Sequence, residues 1–200
     1  IDSNPVSKVA PKKAITNVRI FNSNELKTIF QAKQFYTDFY KSIDKKAVSR
    51  AWLPLLSLFT GARLNELAQL TTNDIQQHGN FAIISINRNQ GKKLKTSSSQ
   101  RIIPIHNELV KLGFLKYVGL VRQSGSKNLF SGLSSYSADF GKFCNKIGLA
   151  DPDIRFHSFR HTFKQACRDA GISEEFEWLK LPIEPIKRTY RYKTIYHALT

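Results

Sequence analysis

The chain has 200 residues and a formal net charge of +16, from 31 lysines and arginines against 15 aspartates and glutamates. Hydrophobic residues make up 41% of the sequence, a globular value, and no apolar run is long enough to cross a bilayer. These values exclude a disordered or membrane-spanning chain and favour a polyanion such as nucleic acid as the partner of a soluble, intracellular protein. A protein that is merely basic, as ribosomal and membrane-surface proteins are, is the alternative.

Cys144 and Cys167 lie in apolar helical patterns, so we expect buried free thiols rather than a disulfide or a zinc site.

The amino-terminal part divides into a polar arm and the start of a domain. Residues 1–20 lack hydrophobic periodicity, so we interpret them as an arm or the remnant of a linker, and residues 21–200 as one domain. A helix start is predicted at Asn22-Ser23-Asn24-Glu25. Two apolar groups follow, one for this helix and one for a second short helix. They are Leu26, Ile29 and Phe30, and then Tyr36, Phe39 and Tyr40.

A nearly all-apolar segment, residues 52–59, predicts a central helix with Pro54 in its first turn. The basic residues 41–50 before it are expected to form a connection. Thr60-Gly61 breaks the helix, and residues 62–70 begin a new one. The chain therefore turns a corner beside the core.

Arg63 lies at this corner between two helices. Glu66 follows three residues later, within reach of Arg63 on one helix face, and can hold its guanidinium in place. Such pairs are common on exposed helix faces, so an ordinary solvated pair is the alternative.

Two runs of β-branched residues, 81–86 and 101–105, predict strands, and Pro104 puts the second one at a sheet edge or a bulge. Residues 87–100 between them are polar and lysine-rich, which predicts a long hairpin tip that can reach a ligand. Its lysines include Lys92, Lys93 and Lys95. For the first two of these, a flexible solvated loop is the interpretation we favour.

The pattern then becomes helical again. One helix is predicted to begin at His106 and to continue through Leu115, and a Gly/Ser-rich loop spans residues 122–135. A further helix is closed by Gly148, and its apolar stripe consists of Phe140, Phe143, Cys144 and Ile147. Helices around a short antiparallel sheet form an α+β plan.

Residues 156–163 begin a helix that carries the most informative polar groups. Its apolar residues recur at three- and four-residue steps, with Ser158 as the expected N-cap and Gly171 as the stop. His157 and Arg160 then lie at the first turn, where unpaired backbone N–H groups and the helix dipole favour an anion. A guanidinium donates a fork of hydrogen bonds to a phosphate, and an imidazole can move a proton. The stretch predicts a phosphate site.

Three motifs stand in order along the chain. They are Thr60-Gly61-Ala62-Arg63-Leu64-Asn65-Glu66-Leu67, a hairpin lysine before Arg101-Ile102-Ile103-Pro104-Ile105, and His157-Ser158-Phe159-Arg160-His161. Their order and spacing resemble the catalytic domain of the tyrosine recombinases, the phage integrase family, over roughly residues 20–180. The resemblance implies a mainly helical α+β catalytic domain with a small antiparallel sheet. It also implies a DNA recombination or integration enzyme of a phage or mobile element.

The resemblance assigns roles by position. The implied catalytic residues are Arg63, Lys95, His157 and Arg160, in which the two arginines are the family's pair and the histidine belongs to the H-x-x-R box. The implied supporting residues are Glu66 and His161. The expected DNA contacts are Lys92, Lys93, Arg101, Lys187 and Arg188.

The implied reaction is the breaking and rejoining of duplex DNA. A tyrosine hydroxyl attacks a phosphodiester, which forms a 3′-phosphotyrosine link and releases a 5′-hydroxyl, and the hydroxyl of a second strand later reverses the step. The arginines stabilise charge on the phosphate, Lys95 protonates the departing oxygen, and His157 assists proton transfer or phosphate binding. The covalent link conserves the bond energy, so no cofactor, ATP or metal is implied. The implied partners are duplex DNA and other protomers on it, in the cytoplasm and on the bacterial nucleoid.

The carboxyl-terminal segment, residues 177–200, departs from the family pattern. The usual Leu-Gly-His box has no counterpart in residues 176–185, where Trp178 fits a packed helix face better than a catalytic role. Tyr190, thirty residues after Arg160, is the expected nucleophile. Its alternatives are Tyr192 and Tyr196.

Three other functions remain open from the sequence. The first is an inactive DNA-binding relative that has lost the nucleophile region, and the second is an enzyme of the type IB topoisomerase kind. The third is a generic RNA-binding protein, which the positive charge alone also fits.

Overall fold

The computed structural model describes residues 18–32, 45–96, 99–131 and 134–172. Within these ranges the chain is mainly helical, with a small three-stranded antiparallel sheet, as the α+β plan predicts. The helices are α1 (Ser23–Gln31), α2 (Lys45–Thr60), α3 (Leu64–Ala68), α4 (Asn107–Lys111), α5 (Phe114–Gln123), α6 (Tyr136–Lys146) and α7 (Ser158–Asp169). The strands are β1 (Ile75–His78), β2 (Phe81–Ile86) and β3 (Arg101–Pro104), and short 3-10 turns occupy Thr72–Asp74 and Asn89–Gly91.

Helix α1 begins where the sequence predicts it. The Asn22 side chain accepts a hydrogen bond from the Glu25 N–H at 2.9 Å, and the Glu25 carboxylate accepts one from the Asn22 N–H at 2.8 Å. Arg19 forms ion pairs with this same carboxylate at 2.6 Å and with Asp151 at 2.7 Å. Two bound carboxylates thus fasten the start of the domain to the segment that precedes α7. The second helix predicted after α1 lies outside the described residues.

Helix α2 is the centre of the fold, and it starts earlier than predicted. Residues 45–50 form its first turns, although we expected a connection there. Lysine, alanine and arginine are good helix formers, so a run of positive charge does not prevent a helix. Residues 51–60 are all buried, and Trp52, Leu53 and Leu56 are 0% exposed.

Pro54 therefore lies inside α2 rather than in its first turn. It has no N–H to donate to the carbonyl of Arg50, four residues earlier. The Tyr136 hydroxyl donates a hydrogen bond to that carbonyl at 3.0 Å. A side chain of α6 thus satisfies the backbone group that the proline leaves without a helical partner.

The sheet has the strand order β1-β2-β3 and is antiparallel throughout. Ile84 in the middle strand pairs with Ile75 on one side and Ile103 on the other. Strand β3 is an edge strand, as Pro104 predicts. Strand β1 was not predicted, because Ile75 is its one buried residue and three exposed polar residues follow it.

The helices after the sheet differ from the prediction at one point. His106 caps α4 through its ring Nδ1, which accepts a hydrogen bond from the Glu108 N–H at 3.1 Å. The predicted single helix is two, because Gly113 adopts a left-handed φ of 89° between α4 and α5. Helix α6 carries the predicted apolar stripe before Gly148.

Helix α7 packs into an aromatic cluster at the centre of the domain. Phe159 is 0% exposed, and its ring centroid lies 4.6 Å from that of Phe21 and 5.3 Å from that of Phe140. The N-cap of α7 is His157, one residue before the predicted cap. Ser158 is the first helical residue, since its hydroxyl accepts a hydrogen bond from the preceding loop instead of capping the helix.

Two composition-based expectations can be compared with the structure. Cys144 and Cys167 are both buried, as predicted. Within the described ranges, no helix combines the length and the apolar character that a bilayer crossing requires.

We predict that Gly61→Ala strongly destabilises the domain. Gly61 has a φ of +63°, and a Cβ built there lies 2.4 Å from Cδ1 of Phe163 in α7. Backbone strain and overpacking together should lower the free energy of unfolding by about 2–5 kcal/mol in urea denaturation.

The matched control is Gly79→Ala in the β1–β2 turn. Gly79 has a φ of +57°, but no atom lies within 4 Å of its added Cβ. Only the backbone term of about 1–2 kcal/mol should be lost. Equal losses in the two variants would contradict the close packing of α7 against Gly61.

Candidate active site

The turn between α2 and α3 is built by short polar side chains. Thr60 accepts a hydrogen bond from the Ala62 N–H at 3.1 Å, and the Ser57 hydroxyl donates one to the Ala62 carbonyl at 3.1 Å. Gly61 supplies the left-handed residue that the reversal needs. Arg63 comes two residues after Gly61 as the N-cap of α3, so its position is set by a buried, hydrogen-bonded turn.

Arg63 and Glu66 form a built contact rather than a solvated pair. The Arg63 guanidinium donates to Glu66 Oε1 at 2.7 Å, and the Arg63 N–H donates to Oε2 at 3.0 Å. The Glu66 side chain is 2% exposed, whereas that of Arg63 is 32% exposed. One side of the guanidinium is therefore fixed, while part of it still faces solvent.

Glu66 has a second cationic partner in Arg101. The Arg101 guanidinium donates to Glu66 Oε2 at 2.7 Å and to the Ser99 carbonyl at 2.8 Å, and its side chain is 5% exposed. Burial by itself raises the pKa of Glu66, but the hydrogen bonds and charges of Arg101 and Arg63 outweigh it and hold that pKa below its usual value. Arg101, expected to contact DNA, lies inside the domain.

Arg160 is buried and joins α7 to the same turn. Its residue is 6% exposed, and its guanidinium donates to the carbonyl of Gly61, two residues before Arg63. The two arginines come from positions nearly a hundred residues apart. This contact brings both of them to one corner of the domain.

His157 lies at the start of α7, next to both arginines. Its ring is 4.8 Å from that of His161, in a T-shaped arrangement. The residue as a whole is exposed, yet neighbouring atoms partly desolvate the ring, and this is the largest cause that lowers the pKa of His157 to about 4. The further causes are the electrostatic influence of His161 and the positive charges of Arg160, Arg63 and Lys95.

These electrostatic effects indicate which predicted residues come together. Arg63, Arg160 and Lys95 all act on the His157 ring, so the four basic groups implied by the resemblance lie within electrostatic reach of one position. His157 is a neutral imidazole at pH 7 in the free protein.

Lys95 lies on the hairpin tip, where Gln69, the C-cap of α3, holds the backbone. The Gln69 side chain accepts a hydrogen bond from the Lys93 N–H at 2.7 Å and donates one to the Lys93 carbonyl at 3.0 Å. Lys95 is exposed two residues later. The side chain of Lys93 is not used in this contact, and the residue is exposed, in agreement with its predicted solvation.

For Lys92 the predicted solvation is wrong. Its ammonium group contacts both carboxylate oxygens of Asp74, at 2.7 and 2.6 Å, and the two side chains are 9% and 4% exposed. Asp74 also accepts hydrogen bonds from Thr71 and from the Asn87 amide. A buried ion pair therefore closes the base of the hairpin tip, and Lys92 faces inward rather than toward a DNA surface.

Sequence reasoning missed the residues that hold the site in place. Gln69, Asp74 and Ser99 contact the hairpin or the arginines, and none was singled out. Only Asp74 carries a local signal, since Thr71 precedes it at the three-residue spacing of a capping box. The predicted residues of the carboxyl-terminal segment lie outside the described residues, namely Trp178, Lys187, Arg188, Tyr190, Tyr192 and Tyr196.

The sequence around this cluster of basic groups matches a known protein family. The family model described as the phage integrase family matches residues 20–176. The chain belongs to the phage integrase family. This agrees with the family and the fold identified from the three sequence motifs, and the matched region contains all four clustered basic residues. No curated protein gives a significant sequence match.

Solved structures of a site-specific recombinase and of a transposon integrase share the fold. The XerH site-specific recombinase in its post-cleavage complex with palindromic difH substrate has a TM-score of 0.56 and 19% identity, over 90% of this chain and 49% of the XerH chain. The XerH pre-cleavage complex has a TM-score of 0.55 and 19% identity, over 89% and 49% of the two chains. The Tn1549 transposon integrase with transposon right end DNA has a TM-score of 0.59 and 19% identity, over 98% and 67%. The chain described here thus spans about half the length of the XerH chains.

We predict that His157 titrates far below an ordinary histidine. Its ring should show an NMR titration midpoint near the pKa of about 4, with the signal assigned by its loss in His157→Gln. The unfolded chain binds this proton near pH 6.5, so the folded state should lose stability as the pH falls from about 6.5 to about 4. A midpoint near 6.5 would contradict the crowding of the ring by its basic neighbours.

We also predict that Lys92→Met destabilises the domain. The change leaves the Asp74 carboxylate buried beside an apolar side chain, which should cost about 3–5 kcal/mol in urea denaturation. Lys93→Met is the matched control, because the Lys93 contacts to Gln69 use only its backbone. That variant should lie within about 0.5 kcal/mol of the wild type. If Lys92→Met lowers the free energy of unfolding as little as Lys93→Met does, Lys92 is solvated and the ion pair with Asp74 is not buried.

Proposed function

We propose that this chain is the catalytic region of a site-specific DNA recombinase or integrase, which cleaves and rejoins duplex DNA through a 3′-phosphotyrosine intermediate. The observation that carries the proposal is the contact of Arg160 with the Gly61 turn, because it joins both arginines at one corner. Lys95 and His157 lie near enough to interact electrostatically. Two guanidiniums, an ammonium and an imidazole form a site for a phosphodiester rather than for a neutral substrate.

The arginines supply the electrostatic part of the reaction. Negative charge gathers on the non-bridging oxygens of the phosphate as the tyrosine oxygen attacks. Arg63 and Arg160 are held by Glu66 and by the Gly61 carbonyl, so they need no reorganisation to stabilise this charge. The bond from phosphorus to the tyrosine oxygen forms as the bond to the 5′-oxygen breaks.

The other two groups manage the protons. The departing 5′-oxygen takes a proton from Lys95, which stands exposed on the hairpin tip. His157 is neutral in the free protein, so its ring can accept the tyrosine proton or donate a hydrogen bond to the phosphate. A bound phosphate adds negative charge beside the ring and raises the pKa of His157 from its low value. Proton uptake by this ring is therefore coupled to DNA binding.

Duplex DNA, other protomers and a tyrosine nucleophile complete the proposed reaction. The substrate is duplex DNA, which in a bacterium means the nucleoid, and other protomers act on the same duplex. Lys93 remains a proposed DNA contact, because it is exposed on the hairpin tip beside the site. Lys187 and Arg188 remain proposed contacts from the sequence, and Tyr190 remains the proposed nucleophile.

We predict a covalent DNA adduct that depends on Tyr190. The protein is incubated with a pool of nicked duplexes of randomised sequence, in which the released fragment diffuses away and the cleaved state is trapped. The wild type should give an adduct that resists denaturing electrophoresis, and Tyr190→Phe should abolish it. Tyr192→Phe and Tyr196→Phe are the matched controls and should keep it. An adduct that survives in Tyr190→Phe but not in one of the controls would move the nucleophile to that residue.

A DNA-binding relative without cleavage activity is the second candidate function. It is favoured by the departure of residues 176–185 from the family pattern. In that case no variant gives an adduct, while duplex binding still weakens with salt, with a log–log slope of about −0.9 per phosphate neutralised. That combination of results would reject the recombinase proposal.

A further inference from the structure

Arg101 occupies an unusual place for an arginine of a DNA-processing domain. It is the first residue of β3, directly after the hairpin tip, and its side chain is 5% exposed. Its guanidinium reaches across to α3, where it contacts a carboxylate that is 2% exposed. A charge buried this deeply is costly unless it is paired, so the contact with Glu66 constrains both side chains.

Glu66 is shared between two arginines. Its Oε1 accepts from the Arg63 guanidinium at 2.7 Å, while its Oε2 accepts from Arg101 at 2.7 Å and from the Arg63 N–H at 3.0 Å. With Arg101 on one oxygen, the carboxylate cannot rotate freely, and the other oxygen stays directed at Arg63. The three side chains together carry one net positive charge, so Glu66 orients Arg63 without cancelling the charge of the cluster.

Ser99 connects the same two arginines to the hairpin tip. Its carbonyl accepts from Arg101 at 2.8 Å, and its hydroxyl lies 3.4 Å from the Arg63 guanidinium and 2.9 Å from the Thr96 hydroxyl. Thr96 directly follows Lys95. A path of hydrogen bonds therefore runs from the segment beside Lys95 to both guanidiniums.

We propose that Arg101 is a positioning residue that sets the Arg63 guanidinium through Glu66 and keeps the Lys95 hairpin in register with it. Its role in strand cleavage rests on the proposed function, whereas the orientation of Arg63 does not. The competing roles are a direct contact with the DNA backbone, as the sequence suggests, and a purely structural ion pair.

The first test separates cleavage from DNA binding. Arg101→Met and Arg101→Lys are compared with the wild type in single-turnover cleavage of a nicked duplex recovered from the randomised pool, and in equilibrium binding of that duplex. Arg101→Met should lower the cleavage rate constant about 10- to 100-fold at saturating DNA, because Arg63 loses its fixed geometry. Arg101→Lys keeps the charge but not the fork, so it should recover part of the rate. The Kd for DNA should stay close to the wild-type value.

Arg88→Met is the matched control, since Arg88 is an exposed arginine of the same hairpin tip. It removes the same charge without touching Glu66. If Arg101 contacts the DNA backbone instead, Arg101→Met should weaken binding and reduce the salt slope by about 0.9, with the cleavage rate at saturation retained. That result would overturn the proposal.

A double variant separates the loss of positioning from the destabilisation that an unpaired buried charge would cause. Arg101→Met in a Glu66→Gln background removes both charges, so no buried carboxylate is left without a partner. If Arg101 acts through Glu66, adding Arg101→Met to Glu66→Gln should lower the cleavage rate by less than about twofold. If the losses of cleavage rate from Arg101→Met and Glu66→Gln are fully additive, Arg101 does not act through Glu66, and the proposal is overturned.

A third measurement needs no cleavage at all. Side-chain NMR of ¹⁵N-labelled arginine reports whether the Arg63 guanidinium rotates in the DNA-free protein. The wild type and Arg88→Met should show restricted rotation, and Arg101→Met should show free rotation. If the wild type forms no adduct, the proposed function fails, and this measurement still decides the positioning role. Unchanged restriction of Arg63 in Arg101→Met would reject it.

Discussion

Helix α7 can lie against the turn at Gly61 only because that residue has no side chain. The Phe163 ring occupies the space that a Cβ would need, and this close approach lets Arg160 donate to the Gly61 carbonyl. The same turn directs Arg63 into the site as the N-cap of α3. One point of contact between α7 and this turn therefore fixes both the packing of α7 and the placement of the two arginines.

The site balances its own repulsion in two ways. Glu66 places one buried negative charge between Arg63 and Arg101, and His157 avoids adding a further positive charge by remaining neutral near pH 7. What is left is a concentrated positive potential with ordered donors, which destabilises the free protein slightly and favours an anion. In the proposed function, binding of a phosphate relieves this repulsion, which contributes to the affinity for the DNA backbone.

Much of this was readable from the sequence, and the failures have physical causes. Strand β2 and the start of α1 were predicted correctly, because β-branched runs and a capping box are local signals. The inward direction of Lys92 and Arg101 was not, since their partners Asp74 and Glu66 lie 18 and 35 residues away. Sequence patterns show which residues are charged, whereas burial of a charge is decided by a partner from another element. Strand β1 was missed because its side chains are mostly polar and exposed, whereas the hydrogen bonds that pair it with β2 are made by its backbone.

The attachment of the hairpin tip to Gln69 uses only the N–H and C=O groups of Lys93. An amide that recognises backbone in this way does not depend on the identity of the residue it holds. The chemical character of position 93 can therefore drift during evolution, from basic to polar or apolar, while the path of the loop stays the same. Relatives with this anchor can vary the side chain beside the basic site without changing the path of the loop that presents Lys95. The shape of the loop can therefore be conserved while the side chain on its surface changes.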